Sequence, residues 1–204
     1  MSTDTDGHEE TGSSTETPTR SKIIAEAARM FRSVGYTATT TRDLAEAVGI
    51  RGPSLYHYFP TKMDLLYGVC EESLRRLSAA SEEVDGDELD ARQELMRRIE
   101  IHLETIVRDL DMHATMLIEM RALSGKMRRQ VVRSRDTYEG VIRGTVERAQ
   151  EEEVLRTDIS AHDLTLTLLN TLNWTVIWFD PRGPLGSDKL AELYADVFLE
   201  GAEA

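Results

Sequence analysis

The chain is punctuated most tightly between Gly35 and Pro60, and that spacing limits what it can fold into. Thr39, Thr40 and Thr41 offer N-cap hydroxyls ahead of Leu44, Ala45 and Val48. Asp43 lies in the first turn, where the helix dipole favours a carboxylate, and Gly49 follows as a stop. Gly52 and Pro53 open another helix, with proline at a first-turn position where its missing N–H costs nothing, and Pro60 ends it. Upstream, Ile24, Ala27, Ala28 and Phe31 recur at i, i+3, i+4 and i+7 before Gly35, which predicts a first helix of about four turns. Two short helices joined by a glycine-containing turn of about four residues make a helix-turn-helix. Leu44, Val48, Leu55 and Phe59 are spaced to fix both short helices to the first, leaving the start of the third free to enter a major groove.

A formal net charge of −13 argues against a nucleic-acid partner, because phosphate attraction needs clustered Lys and Arg. The distribution of that charge answers the objection. Residues 1–18 carry five acids (Asp4, Asp6, Glu9, Glu10 and Glu16) and no Lys or Arg; with no large apolar residue after Met1, this tail is expected to be disordered. Residues 19–65 carry seven bases against four acids, and residues 66–204 hold a net of −11. Such asymmetry points to one nucleic-acid-facing segment on an acidic body, with ordinary surface variation as the plainer alternative.

Beyond Thr61 the pattern is helical almost throughout. Helices are predicted over 61–83, 88–108, 113–123, 126–152, 160–179 and 187–200, with a break at Asp85-Gly86-Asp87. No alternating β-branched runs with hairpin turns occur, so the fold class is all-α. The segment 164–179 has no charged residue and apolar residues all round, which marks a helix buried on most sides. It is too short and too polar, with its Thr and Asn residues, for a membrane span of about 20 residues. The last helix carries a one-sided stripe of Leu190, Leu193, Tyr194, Val197 and Phe198, and two such helices from each of two subunits would form a four-helix homodimer interface.

Enzymatic chemistry finds no foothold. His102 and His113 are not at metal-helix spacing, His162-Asp163 reads as a helix start, and no glycine-rich loop cradles phosphate. No catalytic residue, metal site or cofactor is assigned. Cys70 is the single cysteine, and no apolar stretch follows a basic N-terminal segment, so a cytoplasmic setting is expected.

Residues 40–66 read TTRDLAEAVGIRGPSLYHYFPTKMDLL and strongly resemble the DNA-binding segment of tetracycline-repressor (TetR-like) regulators. The core of the match is Ser54-Leu55-Tyr56-His57-Tyr58-Phe59-Pro60-Thr61-Lys62 with Leu65-Leu66, preceded by Leu44-Ala45 and Val48-Gly49. The resemblance covers residues 20–66 and implies a helix-turn-helix domain over 19–65, followed by an all-helical effector-binding and dimerisation domain over 66–204. Carried over by position, Arg51, Gly52, Pro53, Tyr56 and His57 would face the groove, while Thr41, with Arg42 beside it, and Lys62 would meet phosphates. Arg51 suits a guanine edge; Tyr56 and His57 suit phosphate or a thymine methyl. Pro53 departs from the small or basic residue many relatives carry there. Tyr58 and Phe59 are read as core, Tyr56 as surface.

The resemblance further implies a repressor that a small molecule releases from a palindromic operator. Residues 173–184, NWTVIWFDPRGP, are similar to a stretch in a subgroup whose effectors include acyl-coenzyme A thioesters. Met116, Met120, Arg121, Tyr138 and Trp174 are the candidate effector-binding residues, chosen by helix position and chemistry. Each also has a plainer reading: the methionines as core filling, the tryptophans as packing and dimer contacts, Arg121 as a surface or paired cation. Two other function classes remain open at this point, a ligand-independent dimeric DNA-binding protein and a helical interaction module.

Overall fold

The computed structural model describes residues 18–84 and 88–202, with side chains from Arg20; residues 1–17 of the expected acidic tail and the Asp85-Gly86-Asp87 break lie outside the described residues, and Pro18, the last of that tail, is already helical. All regular elements there are helical: α1 (Pro18–Val34), α2 (Thr41–Val48), α3 (Gly52–Tyr58), α4 (Lys62–Glu82), α5 (Ala91–Arg108), α6 (Leu110–Glu119), a 3-10 turn over Met120–Ala122, α7 (Gly125–Glu151), α8 (Ala161–Trp178) and α9 (Ser187–Ala202). None is long and apolar enough to cross a membrane.

Local chemistry sets where these helices start. Thr40, Thr61 and Asp90 each accept from the backbone N–H three residues on, and Asp43, Asp64 and Gln93 reach back to the cap. Such reciprocal boxes satisfy two orphan donors at once and hold each helix start in register. Gly49 closes α2 at φ 76°, a left-handed turn in which any Cβ is strained.

Two apolar cores result. Ile23, Ile24, Ala27 and Phe31 of α1 meet Leu44 and Val48 of α2, Leu55 of α3, Phe59 and the first turns of α4. The second core surrounds α5, whose Leu95, Ile99, Leu103 and Ile106 are covered by Tyr138, Ile142 and Val146 of α7, Leu168 and Leu172 of α8 and Leu190 and Leu199 of α9. Each Val, Leu, Ile or Phe side chain among them contributes about 1.5–3 kcal/mol on burial. The division expected after residue 65 falls inside α4, a single uninterrupted helix. Met112, Met116, Leu123 and Val131, from the far side of that division, pack into the first core, so the head rests on the body through apolar contact.

One expectation is corrected. The apolar α8 is not buried all round within this chain: Trp174, Ile177 and Trp178 are exposed, as are Leu193 and Val197 of α9. The hydroxyls of Thr165, Thr167 and Thr171 bond back to carbonyls one turn earlier, which lets this helix carry threonine without unpaired polar groups.

Polar groups brace α4, α5 and α7 together. Glu94 accepts from Arg98 at 3.0 Å, Thr145 at 2.7 Å and Arg148 at 2.7 Å, and Arg98 also donates to the carbonyl and hydroxyl of Ser81. These donors hold the Glu94 carboxyl below its usual range against the opposing, and largest, effect of burial. Replacing Glu94 by Ala removes one acceptor shared by Arg98, Thr145 and Arg148 and is expected to cost about 2 kcal/mol in urea unfolding, in the range for a hydrogen bond to a charged group. Burial pushes His102 down to about 4 and His113 to about 3, so below pH 6.5 the unfolded chain binds more protons than the folded one. Stability from both groups is complete above that unfolded value and is lost as the pH falls toward 4. Thermal melts should therefore show a falling Tm between about pH 7 and about pH 5; a flat Tm would contradict neutral buried histidines.

Candidate DNA interface and effector cavity

The recognition face is built outward from one anchor. Leu55 is the buried residue of α3, and pinning it into the first core turns Arg51, Pro53, Ser54, Tyr56 and His57 to solvent. Tyr56 is 50% exposed, and its hydroxyl lies 2.9 Å from the Thr41 hydroxyl, which ties α3 to the first turn of α2. Arg51 takes the N-cap position of α3 in extended backbone, projecting from the turn rather than from the helix. A Cβ on Gly52 would meet nothing within 4 Å, so the small residue leaves room for an outside surface to approach the backbone. Arg42 is exposed beside Thr41, and Thr41, Arg42, Gly52 and Tyr56 border one shallow depression between α2 and α3. Phe59 is buried and Tyr58 half-buried; the Phe59 ring lies against Gly68, where a Cβ would stand 3.1 Å from it.

Lys62, expected at a phosphate, is placed differently. Its ammonium donates to the carbonyls of Tyr36 at 2.9 Å, Thr37 at 3.3 Å and Thr39 at 2.9 Å, and sits over the Tyr36 ring. A lysine has three N–H donors and all are committed here. The side chain thus clamps the α1–α2 loop, and this fixed position sets the entry of α2. Ser54 and Thr61 are also exposed on this side, at the starts of α3 and α4.

In the body, a cavity of about 230 Å3 lies among Leu74 and Leu77 of α4, His102 of α5, Met116 and Leu117 of α6, Arg135, Tyr138 and Glu139 of α7, and Leu166, Leu169, Asn170 and Asn173 of α8. Of the five expected effector residues, Met116 and Tyr138 line it. Met120 packs instead beneath the head, Arg121 is exposed on the 3-10 turn, and Trp174 is 64% exposed on the outer side of α8. Sequence reasoning missed His102 and Asn173. A signal existed for the first: His102 stands in the stripe of Leu95, Ile99 and Ile106, where an imidazole interrupts an otherwise apolar face. Within the cavity wall, His102 Nδ1 lies 2.7 Å from the Tyr138 hydroxyl.

Comparison with known proteins covers both halves. Residues 23–68 match the family described as bacterial regulatory proteins, tetR family, and residues 88–202 match the tetracyclin repressor-like C-terminal domain. Over 184 residues, 89% of this chain and 90% of the relative, the chain is 27% identical to the HTH-type transcriptional repressor KstR2 of Rhodococcus jostii. Its structure is similar to that of PfmR, a TetR family transcriptional regulator from Thermus thermophilus, with a TM-score of 0.82 at 33% identity over 89% of this chain and 99% of that one. It shares the fold of AibR, solved in complex with isovaleryl coenzyme A and operator DNA, at a TM-score of 0.80 and 19% identity over 88% of this chain and 97% of that one.

The clamp geometry makes Lys62→Met a sharp test. Freeing three carbonyls is expected to lower the Tm and weaken DNA binding while leaving the slope of log K against log salt unchanged. A slope reduced by about one would instead identify a phosphate contact, because each neutralised phosphate contributes about 0.9 to that slope.

Proposed function

This chain belongs to the tetR family of bacterial regulatory proteins, and we propose that it is a homodimeric repressor released from a palindromic operator by a small apolar or amphipathic effector of the acyl-CoA or fatty-acid kind. Arg51, Gly52, Pro53, Tyr56 and His57 meet base edges and the adjoining backbone, and Thr41 and Arg42 meet phosphate. The relatives are transcriptional regulators, which supports this role over any enzymatic one.

The observation that carries the reading is a line of contacts from cavity to head through α6. Met116 and Leu117 form part of the cavity wall. On the same helix, Thr115 donates to the Ala28 carbonyl of α1 at 2.9 Å and Glu119 accepts from the Tyr36 N–H at 3.1 Å. Tyr36 is also held by Lys62 at the start of α4, and Asp111 at the first turn of α6 pairs with Arg32 of α1 at 2.9 Å. A ligand that displaces α6 therefore pulls on α1, on the loop before α2 and on α4 together. If it prefers the displaced arrangement, binding shifts the population away from the DNA-competent one.

The exposed apolar surface of Trp174, Ile177 and Trp178 on α8 with Leu193 and Val197 on α9 supports dimerisation through the last two helices. Two α3 helices held about 34–36 Å apart read successive major grooves. Selection from a random duplex pool is expected to enrich a near-palindrome, from which short and long acyl-CoA thioesters and free fatty acids are then screened for release. No enrichment of any sequence would overturn the proposal. The Trp174→Glu/Val197→Glu double variant should sediment as a folded monomer and lose at least about tenfold in operator affinity, because a charge on each side of a buried interface is left without a partner.

A further inference from the structure

Resting on the regulator reading above, we infer that the cavity selects a compact, uncharged acyl group, and that the His102–Tyr138 pair recognises its carbonyl oxygen. The first observation is a donor left over. His102 is 1% exposed and Tyr138 5%, and their polar atoms meet at 2.7 Å. Nε2 of His102 has no hydrogen-bond partner, although the ring lines the cavity. Burial keeps the imidazole neutral and the phenol protonated, so the pair owns one ring N–H and one O–H. A single hydrogen bond between them uses one of these. Whichever tautomer is present, the other donor is left at the cavity wall, where the Asn173 side chain approaches the ring but completes no hydrogen bond to Nε2, and a buried donor met so poorly favours any ligand oxygen that accepts from it.

The second observation is what the interior lacks. Leu74, Leu77, Met116, Leu117 and Leu169 supply apolar wall, and the cations and anions that border the cavity are Arg135, itself exposed, and Glu139, which faces His162 at 3.8 Å. No fully buried cation is among the lining residues, so a carboxylate placed beside His102 would lose its hydration without an opposite charge. A thioester, ester, amide or ketone oxygen accepts the donor at no such cost. Size narrows the class further: a cavity of about 150 Å3 takes a benzene-sized molecule, and in proportion about 230 Å3 takes about nine non-hydrogen atoms. That suits a short or branched acyl group with its carbonyl better than a long chain.

The neutral carbonyl has two sources, a free small ester or a thioester on an anionic carrier. Arg135 at the border shares its side of α7 with exposed Arg128, seven positions earlier, and these two cations are the ones on which carrier phosphates could rest.

The test is direct binding to the full chain by calorimetry, without DNA, using isovaleryl-coenzyme A, its N-acetylcysteamine thioester, isovalerate and palmitoyl-coenzyme A. Both isovaleryl thioesters are expected to bind, isovalerate and palmitoyl-coenzyme A at least about tenfold more weakly. His102→Leu should lose about tenfold and His102→Gln, which retains an N–H near the same position, should recover most of it. Should His102→Leu fail to fold, the wild type still answers: the infrared carbonyl stretch of a carbonyl-13C thioester must fall on binding relative to the same compound in an apolar solvent. An unshifted stretch, or isovalerate or palmitoyl-coenzyme A binding as tightly as the short thioesters, would overturn the inference. Tighter binding of the coenzyme A form, lost in Arg135→Ala, names the anionic carrier as the source; equal binding of the two thioesters names free neutral esters. Binding without release of DNA would leave this site standing and sink the derepression reading, whereas release by a long-chain ligand alone would do the reverse.

Discussion

One helix belongs to two cores. The 21 residues of α4 extend about 31 Å; Leu65, Leu66, Val69, Cys70 and Leu74 complete the core of the head, and Leu77 completes that of the body. Because a packed interior does not deform continuously, a shift of this helix in either core must be matched in the other or open a void. The position of the recognition helix is consequently a property of the whole chain. The Lys62 clamp at one end of α4 and the Arg98–Ser81 bonds near its other end fix it at both extremities.

Electrostatics at the recognition face are more divided than a basic patch would be. The first turns of α2 and α4 are helix N-termini, which favour phosphate, yet each already holds a carboxylate of its own, Asp43 and Asp64, in a capping box. Those acids stabilise the fold and weaken the pull on DNA. Attraction is left to exposed side chains such as Arg42 and Arg51, against a body with a net of −11. A molecule charged in this way is oriented before contact, because its acidic bulk is repelled while its head is drawn in.

Most of the helical framework was legible in the sequence because capping residues, glycine stops and 3.6-residue periodicity are local. The predicted helices over 126–152 and 160–179 differ from Gly125–Glu151 and Ala161–Trp178 by a residue at each end. Exposure of Leu55 and Tyr56 to opposite fates was legible too, since neighbouring positions on one helix turn point apart. What local pattern did not carry was long-range polar geometry. Lys62 looks like any basic residue at a helix start, and only the folded α1–α2 loop, 23 residues or more away, converts it into a carbonyl clamp. The same holds for His102 and Tyr138, 36 positions apart in sequence and in hydrogen-bond contact in the fold. Trp174 misled for a related reason: hydropathy registers that a face avoids water, but not whether the face meets this chain or another surface.

The lone thiol sits inside the helix shared by the two cores. Cys70 is completely buried, and burial pushes it up to about 12, so almost no thiolate exists at neutral pH to attack a disulfide or an alkylating reagent. The thiol of the folded protein is therefore inert. Its sulfur becomes a clock instead: the rate at which an aromatic disulfide labels it counts the openings of the joint between head and body, on the one chain segment that cannot move without both.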